Sequence, residues 1–306
     1  MKQYIVKRCG YSLLSLFLLS LTIFFFVRVT GDPATLLAEP GASEADIAKI
    51  HHQFGLDQPL VVQYALFMFK LAQGDLGQSF YYQTPVFELY FSRLPNSLLL
   101  AVVAMTFSLL VGIPSGILAA VRVGTFWDSA GKLFALLGLS LPSFFVGLLM
   151  ILFFTVYLGW LPSSGSGTPL HLVMPAFALG WYFAAAHMRL TRSSMLEVLG
   201  SEYIKLARLK GLPQALVIGK HALKNALIPV LTLAGINLVL MINVAVVVET
   251  VFAWPGVGRL LYEGVSFRDF PVVQGVVILG GCMIVGVNLL VDIVYALIDP
   301  RIRLEA

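Results

Sequence analysis

Charge is scarce in this chain of 306 residues: Asp, Glu, Lys and Arg together make up 12% of it, against 58% hydrophobic residues, and the mean hydropathy is +0.89. That balance excludes an ordinary soluble domain and points to a polytopic helical membrane protein. The net charge of +4 serves to orient helices, so no nucleic-acid partner is expected. Cysteine is nearly absent. Cys9 and Cys282 lie far apart, in or beside apolar runs; no disulfide framework or metal-ligand spacing follows, and both read as small buried hydrophobes. A phosphate-binding loop is missing, because Gly219 and Lys220 are followed by His221 rather than Ser or Thr. So are HExxH, GxSxG and CxxC patterns, which removes the usual signatures of a catalytic site; no enzyme activity, metal or cofactor is expected. His51 and His52 are adjacent, and neighbouring positions on a helix point about 100° apart, so they read as solvated side chains rather than as ligands of one ion.

What the chain does have is long apolar runs. Lys2, Lys7 and Arg8 precede the run 9–27, which is nearer a bilayer span of about 20 residues than a signal core of about 7–15, so it reads as an uncleaved first helix. Spans are expected at 9–29, 97–121, 132–158, 172–190, 229–251 and 272–298, with Arg28 snorkelling at the outer end of the first, Pro142 kinking the third, and His187 and Arg189 marking the inner end of the fourth. Residues 30–95 carry a negative balance and belong outside. Within them Ser43 and Asp46 have capping-box spacing before Ile47, Ile50 and Phe54, and the run from Leu60, interrupted by Gln63 and Lys70, reads as an interfacial or packed helix. The string RLPNS at 93–97 predicts the start of span two. Basic residues cluster at the ends and loops assigned to the inside, which puts both termini in the cytoplasm. The expected fold is all-α, one domain over 1–306, with six transmembrane helices, an external helical segment after the first and a cytoplasmic loop between the fourth and fifth.

That loop, about 191–228, contains the long polar interruption of the chain, SEYIKLARLKGLPQALVIGKHALKNALIP. Ser201 is placed to cap a helix with Glu202 in its first turn, and Gly211 supplies a stop. Tyr203, Leu206, Ala207 and Lys210 share one face. Pro213 suits the first turn of a second helix carrying Lys220, His221 and Lys224. A short stiff helix along the membrane surface can receive force from a nucleotide-hydrolysing partner: Ala207 would permit close approach, and Glu202 and Arg208 could set register by pairing across the contact.

The pattern EYxxxARxKGL followed by HALxNALIPVL resembles the EAA coupling loop of ABC importer permeases, in the form of the dipeptide, oligopeptide and nickel branch. Lys205 and Leu206 stand where the general consensus has an acidic residue and an alanine, while Glu202 sits three residues earlier, as in the peptide branch. The strings GDPA, GLDQPL and GDLGQS, and the segment VFAWPGVGRLLYEGVSFRDFPVVQG, are similar to external loops of the same branch. The resemblance implies an ATPase-coupling role for Glu202, Tyr203, Ala207, Arg208, Lys210 and Gly211. It also implies a second homologous permease, two ATP-binding cassette subunits, an external solute-binding protein, a bacterial inner membrane, and peptides, glutathione or nickel complexes as cargo. The competing class is an ion-gradient-driven secondary transporter, which would use paired broken helices and mid-bilayer carboxylates.

Asn237 and Asn243 in the fifth span, and Asn288 and Asp292 in the sixth, are polar groups at membrane depth. Such groups line a path or join helices, and both roles stay open. Glu249 is placed either to line the outer mouth or to pair with Arg259. Gly112, Gly116, Gly138, Gly147, Gly280, Gly281 and Gly286 are expected to permit close helix contact.

Overall fold

The computed structural model describes residues 2–29, 43–45, 52 and 57–298, the side chains of 2–7, 9 and 289–298 excepted. The helix expected from Asp46 to Phe54, together with His51, the side chains of Cys9 and Asp292, and the basic carboxyl terminus, lies outside the described residues. The rest is helical: α1 Lys2–Val29, α2 Leu60–Ala72, α3 Val86–Val121, α4 Phe126–Ser140, α5 Ser143–Tyr157, α6 Leu170–Leu199, α7 Glu202–Leu209, α8 Gln214–Val251, α9 Val257–Ser266 and α10 Phe270–Ile298. Among the described residues, four runs are long and apolar enough to cross a membrane, within α1, α3, α8 and α10; the α4 and α5 pair makes a fifth if its 103° bend is one broken span.

Three boundaries differ from expectation for local reasons. Helix α3 starts at Val86, not near Asn96, because Pro85 takes the start position and its carbonyl accepts the Leu89 amide at 3.1 Å, leaving Pro95 inside the helix. Pro142 does more than kink the third span. It pushes Leu141 into an extended conformation with ψ 124°, which ends α4 and begins α5 anew. Pro229, by contrast, is absorbed within α8, which joins the expected second loop helix to span five as one run.

The chain forms two compact units, residues 1–94 with 260–306, and residues 95–259. In the first, α1 packs along α10 through Ile23, Val27, Phe270, Val273 and Ile278. Helix α2 is tied to α1 by Tyr64, whose hydroxyl lies 2.9 Å from Ser20 Oγ and whose ring meets the edge of Phe24. The Arg28 guanidinium, expected to reach for headgroups, lies over the Phe24 ring at 3.4 Å and donates to Gln63 Oε1 at 3.0 Å, because the buried Gln63 offers an acceptor within reach. Cys282 is exposed rather than buried, and borders an apolar crevice of 500 Å³ with Leu16, Phe17 and Leu279. At the loop end of this unit Ser79 donates to Asp269 and Tyr82 donates to Glu263, while Tyr81 stacks on Phe267 at 4.0 Å. Burial, and then the Glu263 bond, push the Tyr82 phenol up to about 12.

In the second unit α6 is the central element, with α4, α5 and α8 packed against it. Helix α3 reaches it through glycine: a Cβ on Gly112 would stand 2.7 Å from the Ala184 carbonyl, and one on Gly116 would stand 2.6 Å from the Met188 carbonyl. Gly138 and Gly147 are similarly crowded, by Ala185 and Phe252, and in the first unit Gly281 is crowded by Leu19. Among the described residues Gly280 and Gly286 have nothing within 4 Å, so the packing role expected of those two is not seen there.

The carboxyl end of α8 is knotted to the turn that follows. Glu249 is fully buried; one carboxylate oxygen accepts from Ser97 Oγ at 2.6 Å and the other from the Arg259 amide at 3.0 Å. Ser97 Oγ in turn accepts the Val257 amide at 2.8 Å, and Trp254 Nε1 donates to the Asn96 carbonyl at 3.0 Å. Gly256 is required there, since a Cβ would fall 2.3 Å from the Glu249 carboxylate.

Two stability predictions follow from this packing. Gly116→Leu should lower the yield of monodisperse detergent-purified protein, at a cost of about 1–3 kcal/mol for overpacking, whereas Gly286→Leu should leave size-exclusion profiles unchanged. Glu249→Ala strands the Ser97 hydroxyl and the Arg259 amide, each costing about 1–3 kcal/mol; thermal unfolding should shift down, and an unshifted midpoint would remove the knot from the account.

Candidate coupling site and intramembrane polar cluster

Helix α7 spans eight residues, Glu202–Leu209, between a bend at Ser201 and a left-handed turn at Gly211, whose φ is +77°. Only glycine enters that region without cost, and among the described residues nothing lies within 4 Å of the position, so backbone conformation rather than space selects it. The Ser201 side chain does not cap the helix; its hydroxyl donates back to the Val198 carbonyl instead. Its backbone still starts the helix, accepting the Lys205 amide at 3.2 Å.

The inner stripe of α7 is Ile204 at 0% exposure and Ala207 at 8%, packed against Met195, Val217, Ala222 and Ala226. The close approach that Ala207 permits is therefore to its own bundle. A second anchor is lateral: Asn225 Nδ2 donates to the Tyr203 hydroxyl at 2.7 Å. The opposite stripe is apolar yet uncovered, with Tyr203 at 44%, Leu206 at 54% and Leu209 at 85% exposure. Glu202 pairs with Lys205 at 2.7 Å, both well exposed, a contact worth little in water. Arg208 borders a crevice of 290 Å³ beside Gly200, Gln214 and Ile218, and Lys210 closes the helix as an exposed residue whose amide bonds the Leu206 carbonyl at 3.0 Å.

The polar residues at membrane depth separate into different environments. Asn237 is 6% exposed and meets His187 Nε2 at 3.3 Å. Asn243 is exposed and donates to the carbonyl of Val239 in its own helix at 3.1 Å. Asn288 is exposed, Glu249 is held in the knot described above, and the Asp292 side chain lies outside the described residues. His187 does not mark an inner end: α6 continues to Leu199, and the imidazole is fully buried between Ser108 and Asn237.

Two buried polar groupings escape a reading by spacing alone. One is Ser108, His187 and Asn237. The other is Asp128, 1% exposed, which accepts from Arg192 Nε at 2.8 Å, Lys132 Nζ at 2.9 Å and the Gly124 amide at 3.1 Å, joining α4 to α6. The Asp128 and Lys132 spacing of four is a visible helix signal; the Arg192 partner, 64 residues away, has none. Among the described residues no cluster of three His, Cys, Asp or Glu could hold a metal ion, and His52 stands 3.5 Å from Asp57.

Known proteins place this architecture. Residues 112–304 match the family described as binding-protein-dependent transport system inner membrane component, and residues 1–101 match its N-terminal companion. The chain is 40% identical over 304 residues to the glutathione transport system permease protein GsiC of Escherichia coli, spanning 99% of both chains. It is equally similar, 40% over 304 residues and 99% of both chains, to GsiC of Salmonella typhi. Two solved structures share the fold: an amino acid ABC transporter (TM-score 0.55, 16% identity, 67% of this chain and 92% of the other) and the inward-facing MetNI methionine ABC transporter (TM-score 0.54, 20% identity, 69% and 96%). These matches remove the gradient-driven alternative. The chain is a multi-pass inner-membrane protein and belongs to the binding-protein-dependent transport system inner membrane components, the permease subunits of ABC importers.

Proposed function

We propose that this permease carries peptide-type solutes, glutathione among them, and that α7 is the helix through which partner ATPases drive it. The observation that carries the coupling role is the two-sided character of α7. Ile204 and Ala207 lock it into the bundle, while Tyr203, Leu206 and Leu209 stay apolar and uncovered. Such a helix transmits a push to α6 and α8 without deforming, and its outer stripe suits a groove on a partner. Glu202, Arg208 and Lys210, at the margins of that stripe, supply register with charged groups on the ATPase. The cargo class rests on the GsiC relatives and on the peptide-branch motif around Glu202 and Gly211.

The assembly we propose pairs this chain with a second homologous permease, two ATP-binding cassette subunits and an external binding protein. The bilayer is crossed six times, with α4 and α5 as one broken span and α6 as another, and both termini face the cytoplasm. α6 carries Arg189 and Arg192 toward its α7 end, which accords with that end being inside. Asn237, Asn243, Asn288 and Asp292 are the path candidates on the permease side; Glu249, knotted in this conformation, sets the shape of the outer mouth rather than offering a free carboxylate to the solute.

The test is reconstituted uptake of radiolabelled glutathione with all partners present. Gly211→Val places a β-branched residue at positive φ, at about 1–3 kcal/mol of strain, equivalent to roughly 5- to 150-fold in a coupled equilibrium. Uptake should fall within that range while membrane insertion and subunit amounts stay constant. Gly219→Val, exposed and with open space around it, should transport as wild type. Normal uptake by the Gly211 variant would refute the coupling role of this turn.

A further inference from the structure

A cleft of 540 Å³ opens in the second unit at the break between α4 and α5, lined by Ser140, Pro142, Ser143, Tyr182, Asn237 and Leu240 among others, none of them charged. Its volume falls in the range of about 300–1,000 Å³ usual for small-molecule sites. The backbone at this break needs partners. Pro142 has no N–H to return to Gly138, and after the Leu141 amide bonds Leu137 the ladder resumes only with Phe145 and Val146 on the Pro142 carbonyl. Broken backbone at membrane depth persists only where protein, water or ligand satisfies it. Among the described residues, the hydroxyls of Ser140, Ser143 and Tyr182 make no hydrogen bond within the chain.

Asn237 is the one buried amide on this cleft, and the groups behind it set its direction. Ser108 Oγ lies 2.9 Å from the Met105 carbonyl and 3.2 Å from His187 Nδ1, and we assign its single proton to the carbonyl, the shorter contact. With that assignment His187 carries its proton on Nδ1 and donates it to Ser108 Oγ at 3.2 Å. His187 Nε2 is consequently an acceptor and takes a proton from Asn237 Nδ2 at 3.3 Å. The amide is thereby turned so that Oδ1 remains to accept from the cleft. A chain of donors running from α8 through α6 to α3 thus ends in one oriented acceptor.

We propose that this cleft is a solute subsite on the translocation path, that Asn237 Oδ1 accepts a backbone N–H of a peptide-type solute there, and that His187 and Ser108 are positioning residues that hold the amide in that orientation. The solute class rests on the peptide reading given above. An uncharged lining with one acceptor and neighbouring hydroxyls recognises the amide groups common to all peptides; it has no counter-charge for a metal complex or for a particular ionised side chain, and so reads backbone rather than sequence.

The assembled transporter in proteoliposomes, with labelled glutathione as probe, tests this. Half-saturation is set by the external binding protein, so Asn237→Ala should lower the maximal rate about tenfold, the order expected for one hydrogen bond, with the half-saturating concentration unchanged. His187→Ala should match it, His187→Gln should recover most of the rate by offering an amide oxygen to Asn237, and the double Asn237→Ala, His187→Ala variant should be no slower than Asn237→Ala alone. Wild-type rates for Asn237→Ala, or additive loss in the double variant, would overturn the assignment while leaving ATP-driven uptake by the parent intact. A second arm needs neither cargo nor the Asn237 variants. In a background with Cys9→Ser and Cys282→Ser, Ser143→Cys should react with a small charged methanethiosulfonate reagent, read as a mass shift, and an inert thiol would overturn the water-accessible cleft. If the parent shows no ATP-driven glutathione uptake, the peptide reading fails and the solute class fails with it, even where Ser143→Cys reacts.

Discussion

The approach of α3 to α6 leaves no room for side-chain carbon at Gly112 or Gly116, and the second unit depends on that closeness. With backbones this near, the Met188 and Ala184 carbonyls replace side chains as the packing surface, and dispersion rather than water exclusion holds the pair together in lipid. The same closeness brings Ser108 within reach of His187. One more methyl group at Gly112, which would meet the His187 Cβ at 2.9 Å, would part these helices and open the polar chain that runs to Asn237.

In the coupling role we propose, force enters the bundle where a partner meets a rigid element of it. Helix α7 is too short to be stable by itself in water, and it is held by what it buries: Ile204 and Ala207 against α6 and α8, the Tyr203 to Asn225 bond, and the Gly211 turn that sends the chain directly back into α8. Because α8 runs unbroken from Gln214 to Val251, the coupling we propose would deliver displacement at α7 along one rod that carries Asn237 and ends at the Glu249 knot. The break at Pro142 stands in contrast. There the backbone ladder is interrupted, and Ser140, Ser143 and Asn237 line the cleft beside it.

Much of this was legible in residue patterns. The span of α1, the Gly211 turn and the break-prone Pro142 follow from signals within a few residues of each other, whereas the face expected to hold Tyr203, Leu206, Ala207 and Lys210 together divides in the structure, with Ala207 buried beside Ile204 and Tyr203 and Leu206 exposed. The failures have one cause in common. Arg28 was assigned to headgroups, Cys282 to a core and His187 to a helix end because a hydropathy reading locates a residue along the membrane normal but not around the helix axis. Arg28 in fact finds Gln63, 35 residues away, and His187 finds Ser108 and Asn237, 79 and 50 residues away.

Taken alone, the order of residues determined that this chain is helical, lives in a bilayer and presents a short amphipathic helix within its long polar interruption. Those are consequences of composition and of contacts three or four residues apart, which no distant partner can reverse. Tertiary structure decided which polar groups are tied and which are left to act: Glu249 into a knot, Asn243 onto its own backbone, Asn237 toward a cleft with its amide oriented by a histidine on another helix. That outcome depends on the rotation of each helix about its axis, and rotation is set only when the neighbouring surfaces close together.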